Sequence, residues 1–115
     1  VFKAGIARAP VTDWRLYDTI YTERYMRTPL ENPDGYRRSA PQTYADQLRG
    51  NLLIVHGTGD DNVHQQNTTQ LIHLLEEASK QFDLRLYPNK THSISGGNTS
   101  ANLYGLFTEW LKKNL

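Results

Sequence analysis

Asn51-Leu52-Leu53-Ile54-Val55-His56 decides the fold. Four consecutive apolar residues, Leu52 to Val55, imply burial on both faces, as in a central strand of a parallel sheet. Gly57 to Asn62 then predicts a tight polar turn. Beyond it, Leu71, Leu74, Leu75 and Ala78 recur at i, i+3, i+4, i+7 and predict a helix over His64–Lys80, with Glu76 and Lys80 as an i,i+4 pair on its exposed side. Asp83–Tyr87 reads as another strand, closed by Pro88, and Asn89–Asn98 as a Gly-containing polar loop. Leu103, Leu106, Phe107, Trp110 and Leu111 mark an amphipathic C-terminal helix, with Asn98, Thr99 or Ser100 available as its cap.

Upstream, Phe2–Ala7 predicts a buried or half-buried strand bounded by Pro10, and Val1 also reads as strand interior. Val11–Met26 mixes helical spacing with aromatic residues and predicts an irregular helical segment starting at Thr12 or Asp13. Arg27–Arg49 contains Pro29, Pro33, Asp34-Gly35 and Pro41 and predicts loop with one helical turn. Strand and helix thus alternate three times, the pattern of parallel βαβ units and an α/β fold.

A chain of 115 residues folds to about 6,400 Å² of surface from about 19,000 Å² unfolded, enough for one core. Thirteen basic against twelve acidic residues leave a net charge of +1, which gives no footprint for nucleic acid or an anionic membrane. A mean hydropathy of −0.68 accompanies the lack of any membrane-spanning apolar run. Without cysteine there are no disulfides, thiolate metal sites or cysteine nucleophiles. No G-x-G-x-x-G follows a strand, since Gly57-Thr58-Gly59 lacks the third glycine, and no P-loop occurs. His56, His64, His73 and His92 lack zinc-ligand spacing, and His73 reads as a surface or satisfied histidine. Neither metal nor cofactor is expected. The chain starts at Val1 rather than Met and is expected to be a piece of a longer protein.

Ligands of open parallel sheets gather at the carboxyl ends of the strands. Pro10–Trp14, Gly57–His64 and Asn89–Ile94 fall there. Asp60 stands four residues past one buried strand and His92 four past the end of the next, so adjacent parallel strands bring both to one edge. A carboxylate so placed fixes an imidazole's tautomer and stabilises its cation during catalysis. On the residues alone, Asp60 and Asp61 read more readily as helix-cap residues near a helix N-terminus and His92 as an ordinary loop histidine.

Three strings go further: Phe2-Lys3-Ala4-Gly5-Ile6-Ala7-Arg8-Ala9-Pro10-Val11-Thr12-Asp13-Trp14, Tyr21-Thr22-Glu23-Arg24-Tyr25-Met26, and His56-Gly57-Thr58-Gly59-Asp60-Asp61-Asn62-Val63-His64. Together they resemble the C-terminal part of the catalytic domain of dipeptidyl peptidase IV-type serine peptidases, in the prolyl oligopeptidase family. The resemblance covers nearly the whole chain, residues 1–115, and implies the C-terminal portion of an α/β-hydrolase fold. It implies that Asp60 is the triad aspartate, with Asp61 the runner-up carboxylate or else a structural or capping residue, and that His92, in Thr91-His92-Ser93-Ile94, is the triad histidine. The serine string G-x-S-x-G is absent and is expected before Val1, so the segment alone is expected to be inactive.

By the same resemblance Val11, Trp14, Tyr17, Tyr21 and Val63 form an apolar box for the penultimate proline or alanine of a peptide substrate. Aromatic faces suit a flat pyrrolidine ring, although the same residues also read as plain core. Asn62 matches an amide that binds a substrate carbonyl, while Glu23 and Arg24 match a motif near the substrate's amino terminus. The activity implied is release of Xaa-Pro or Xaa-Ala dipeptides by a serine exopeptidase. Another peptidase of the family, an oligopeptidase or acylaminoacyl-peptidase, and a non-catalytic binding homologue are the alternatives. The family's β-propeller and nucleophile strand are not in this chain. The resemblance further implies a homodimer using the last helices. The strand Phe2–Ala7 is expected to pair with the nucleophile strand, so the segment alone should self-associate through that edge. Asn67-Thr68-Thr69, Asn89-Lys90-Thr91 and Asn98-Thr99-Ser100 are glycosylation sequons. A glycan on Asn89 would crowd His92, which favours a bacterial, periplasmic or cell-surface source.

Overall fold

The computed structural model describes residues 2–115, so the strand reading of Val1 lies outside the described residues. Three parallel strands, β1 (Ala4–Arg8), β2 (Asn51–Gly57) and β3 (Asp83–Tyr87), lie in the order β1-β2-β3. Register runs from Ala4↔Asn51 to Arg8↔Val55 and from Leu53↔Asp83 to Gly57↔Tyr87. As the apolar run predicts, β2 is central and buried on both faces from Leu53 to Gly57. β1 starts two residues later than Phe2–Ala7 and extends through Arg8, because pairing begins where Lys3 O receives the Asn51 N–H. Phe2 is exposed.

Alternating residues of β2 feed two cores. Leu53 and Val55 pack with Tyr87, Ile94, Leu103 and Trp110 beneath α4 (Thr99–Asn114). Ile54 packs with Ala45, Leu71 and Leu75 beneath α3 (Gln66–Glu77) and the 3-10 helix Pro41–Gln47. The apolar stripe predicted for α4 therefore covers one sheet face. Two polar bonds fix its position, Trp110 Nε1 to Asp83 Oδ2 at 2.6 Å and Tyr87 Oη to Asn102 Oδ1 at 2.6 Å. Asn98 is the N-cap residue of α4, without a side-chain cap bond.

α3 ends at Glu77, short of the predicted Lys80. Ser79 adopts φ 57°, and Ser79 N and Lys80 N return to the carbonyls of Glu76 and Leu75, a Schellman closure made with serine instead of glycine. Lys80 thus lies past the helix, and among the described residues the close i,i+4 contact on α3 is His73 Nε2 to Glu77 Oε1 at 3.4 Å, not Glu76–Lys80.

Val11–Met26 divides into a 3-10 turn, Trp14–Leu16, capped by Asp13, and α1 (Thr19–Met26), capped by Asp18. Arg27–Arg49 holds more helix than its prolines suggest, namely α2 (Pro33–Ser39) and Pro41–Gln47. Pro33 and Pro41 stand in the first turns of these helices, where proline's missing N–H costs nothing and its φ is preset. Asn32 caps α2 by accepting from Gly35 N, and Tyr36, 2% exposed, donates to Arg27 O.

Surface and shape describe a loosely closed body. The area is 7543 Å², above the roughly 6,400 Å² of a compact chain of this mass. The radius of gyration is 15.1 Å, against about 13 Å for a compact domain of this length. Among the described residues the edge of β1 opposite β2 has no strand partner.

Candidate active site

The carboxyl ends of β2 and β3 carry the Asp60 turn and the His92 loop, and parallel pairing sets them side by side. Backbone bonds join them: Thr58 N to Tyr87 O at 3.0 Å and Gly59 N to Lys90 O at 3.0 Å. Thr58 Oγ1 accepts from Asn89 N at 2.7 Å. Gly57 permits this approach, since a Cβ there would lie 2.2 Å from Lys90 O and 2.7 Å from Thr91 O.

Asp60 is buried, and each carboxylate oxygen has its own task. Oδ1 accepts from Asn62 N and Val63 N, both at 2.9 Å, which closes the turn. Oδ2 accepts from His92 Nδ1 at 2.9 Å. The helix-cap alternative is not realised, since the N-cap of α3 is Gln65 and Asp60 Oδ1 instead closes the turn that precedes it. Burial pushes the carboxyl up, but the His92 bond, the Val63 and Asn62 N–H groups and the His92 charge outweigh it and hold Asp60 below the usual carboxylate range. For such a depressed acid the stabilisation is complete above the unfolded value, about 3.9, and is lost as pH falls through the lower folded value.

In the neutral ring, the bond to an ionised Asp60 keeps the proton on His92 Nδ1 and leaves the Nε2 lone pair free. The His92 side chain is 40% exposed, so Nε2 can meet a reactant. Behind Asp60, His56 is fully buried, with Nε2 at 2.8 Å from Val63 O and Nδ1 at 2.7 Å from Thr68 Oγ1. Val63 O only accepts, so Nε2 carries a hydrogen, while the Thr68 hydroxyl can partner Nδ1 as donor or acceptor. A buried histidine thereby backs the turn, its Nε2 also 3.4 Å from Asp60 Oδ2. Asp61, next to Asp60, is exposed and makes no side-chain hydrogen bond among the described residues.

The aromatic residues gather beside this corner. Trp14, Tyr17 and Tyr21 form a triangle with centroids 5.8, 6.1 and 5.6 Å apart, and Tyr25 extends it at 5.2 Å from Tyr21. Tyr17 Oη donates to Asn62 Oδ1 at 2.6 Å, which orients the amide and leaves Asn62 Nδ2 without a partner among the described residues. Val11 is half-buried and Val63 buried. Tyr17 and Asn62 line an open cleft of about 660 Å³ with Arg15, Asp18, Asp61 and His64, while Trp14 and Tyr21 line a neighbouring hollow of about 190 Å³ with Tyr25 and Met26. Arg24 projects from α1, exposed and without a side-chain bond among the described residues. The loop holding Trp14 is tied to α3, as Thr12 N donates to Asn67 Oδ1 at 3.0 Å and Thr12 Oγ1 to Asn67 O at 2.6 Å. Asn67 is fully buried, so the first of the three sequons cannot carry a glycan in the folded chain, whereas Asn89 and Asn98 are exposed.

Sequence reasoning passed over Arg8, Thr58 and Ile94 as contributors to the corner. Only the position of Arg8, a cation ending a strand at the carboxyl edge, signalled it. No group of three or more His, Cys, Asp or Glu residues suited to a metal ion occurs among the described residues.

A parallel sheet with a carboxylate after one strand, bonded to a histidine after the next, is the order of an α/β hydrolase. Comparison with known proteins narrows that class. The Prolyl oligopeptidase family (Peptidase_S9) matches residues 1–115, and the chain belongs to it. The crystal structure of Porphyromonas gingivalis dipeptidyl peptidase 4 superposes with a TM-score of 0.97 at 55% identity, covering 99% of this chain and 16% of that one. Dipeptidyl-aminopeptidase B of Aspergillus niger is 48% identical over 112 residues, 96% of this chain and 12% of the relative. Dipeptidyl aminopeptidase B of Saccharomyces cerevisiae is 43% identical over 114 residues, 97% and 14% respectively. The chain thus spans about an eighth to a sixth of the length of these relatives.

Proposed function

We propose that these residues are the C-terminal segment of the catalytic domain of a serine exopeptidase that releases Xaa-Pro or Xaa-Ala dipeptides from peptide amino termini. The observation that carries the reading is the Asp60–His92 bond, with Nδ1 engaged and Nε2 open. The relatives' names, dipeptidyl peptidase and dipeptidyl aminopeptidase, supply the reaction class. The chain contains no G-x-S-x-G string, so the nucleophile belongs to another part of the parent protein. The excess surface and the unpaired β1 edge favour such a segment, with that edge receiving the nucleophile strand.

His92 Nε2 takes the serine proton as the oxygen attacks the scissile carbonyl, and returns it to the leaving amine. Asp60 holds the imidazole in the productive tautomer and stabilises its cation. Trp14, Tyr17, Tyr21, Val11 and Val63 enclose the penultimate side chain. Asn62, held by Tyr17, turns Nδ2 toward a substrate carbonyl, and Arg24 lies toward the substrate's amino terminus. Exposed Tyr104 on α4 supports a second copy of the protein as partner through the last helix.

The full-length parent, assayed on chromogenic dipeptides with Pro, Ala or Phe at the penultimate position, tests the specificity. Cleavage of the Pro and Ala substrates, at least about tenfold above Phe in kcat/KM, is expected from a box that a larger ring overfills. Equal or preferred cleavage of Phe contradicts the box.

A further inference from the structure

Arg8 ends β1 beside the His92 loop. Its Nη2 donates to the carbonyl oxygens of His92 at 3.0 Å and Ser93 at 2.5 Å. Those two carbonyls are the central ones of the turn closed by Ile94 N and Thr91 O at 3.1 Å, and no backbone N–H reaches them among the described residues. One charged nitrogen therefore satisfies both, by charge-assisted bonds stronger than neutral ones.

The same turn carries strain. Ile94 adopts φ 49°, a left-handed conformation that β-branched residues avoid at a cost of about 1–3 kcal/mol. Its side chain, 1% exposed, is fixed in the core beneath α4. Ile94 thus pins the far end of the turn and Asp60 holds the ring nitrogen. Between them, the peptide planes that set the height and tilt of the imidazole are held by Arg8.

We propose that Arg8 is a positioning residue for His92, locking the backbone of the histidine turn to the end of β1 so that Nε2 stands at a fixed reach from the nucleophile. The proposal rests on His92 acting as the general base. Since a single nitrogen makes both bonds, a lysine ammonium with three donors can take over much of the role on a somewhat shorter stem.

The test uses the full-length parent with Arg8→Met, Arg8→Lys and, as control, His92→Ala, reading kcat, KM and thermal midpoint on a Gly-Pro chromogenic substrate. Arg8→Met is expected to lower kcat by about ten- to hundredfold with KM within about twofold, the scale of a 1 Å misplacement. Arg8→Lys is expected to recover to within about fivefold of wild type. An Arg8→Met kcat within about twofold of wild type, while His92→Ala is inactive, overturns the positioning role. So does an Arg8→Lys enzyme that loses as much kcat as Arg8→Met along with its thermal midpoint. An active His92→Ala enzyme instead overturns the reading of His92 itself. Arg8→Gln replaces Arg8→Met, read the same way, where that variant does not fold.

Discussion

Two neighbouring regions of this chain are built to different standards of closure. In the Asp60–His92 corner, three bonds join the loops, both Asp60 oxygens are engaged and a buried histidine stands behind. The aromatic shelf is held mainly by ring contacts, and Tyr21 remains 49% exposed and Tyr25 68% exposed. The difference suits the roles proposed for each. A proton relay tolerates little displacement, whereas apolar enclosure is non-directional and scales with buried area. The corner is complete within one sheet; the shelf offers a face on which a ring can lie.

Substitutions at the two regions should therefore fail differently. Gly57→Ala forces the two loops apart, since the new Cβ meets backbone carbonyls that cannot turn aside. Such overpacking costs about 1–3 kcal/mol of stability, and the shift of His92 is expected to lower kcat of the full-length parent by about a hundredfold. Thermal unfolding beside kcat and KM checks it, and a stable variant of normal kcat breaks the claim that the corner is rigid.

Trp14→Ala should leave the corner alone while removing the rings' common neighbour. KM on Pro substrates is expected to rise about tenfold or more with kcat held within about threefold, given about 1.5–3 kcal/mol for an enclosed apolar side chain. A kcat collapse would merge the two regions into one. The smallest effect belongs to the bond that links them. Tyr17→Phe frees the Asn62 amide at a net cost of about 1 kcal/mol, so KM should rise about fivefold. An unchanged KM would show that Asn62 needs no orientation.

Legibility in the sequence follows the same divide between periodic and tertiary signals. β2, β3 and the apolar stripes of α3 and α4 rest on local periodicity and lie close to where the pattern puts them. α2 escaped because Pro33 and Pro41 read as breakers, while the structure uses them as first-turn residues under the Asn32 cap and the buried Tyr36. The end of α3 escaped because serine stands where glycine would announce the closure. Within the site, strand-end spacing located Asp60 and His92. The bonds from Arg8 to residues 84 and 85 positions away have no local trace, and neither does the space that Gly57 leaves for Lys90 and Thr91. Family resemblance singled out Asn62 and Tyr17, but their mutual bond is a fact of three dimensions.

The most direct measurement compares Asp60→Asn with Asp61→Asn in the full-length parent, following chromophore release from a Gly-Pro substrate. The two carboxylates are adjacent, one buried on His92 and the other exposed. In Asp60→Asn the side-chain amide retains an oxygen for the Asn62 and Val63 N–H groups but favours the wrong His92 tautomer. The account predicts a loss in kcat of about 10⁴ for Asp60→Asn and a rate within about threefold of wild type for Asp61→Asn, the usual scale for an exposed substitution. A fully active Asp60→Asn enzyme, or an equal collapse in Asp61→Asn, would contradict it.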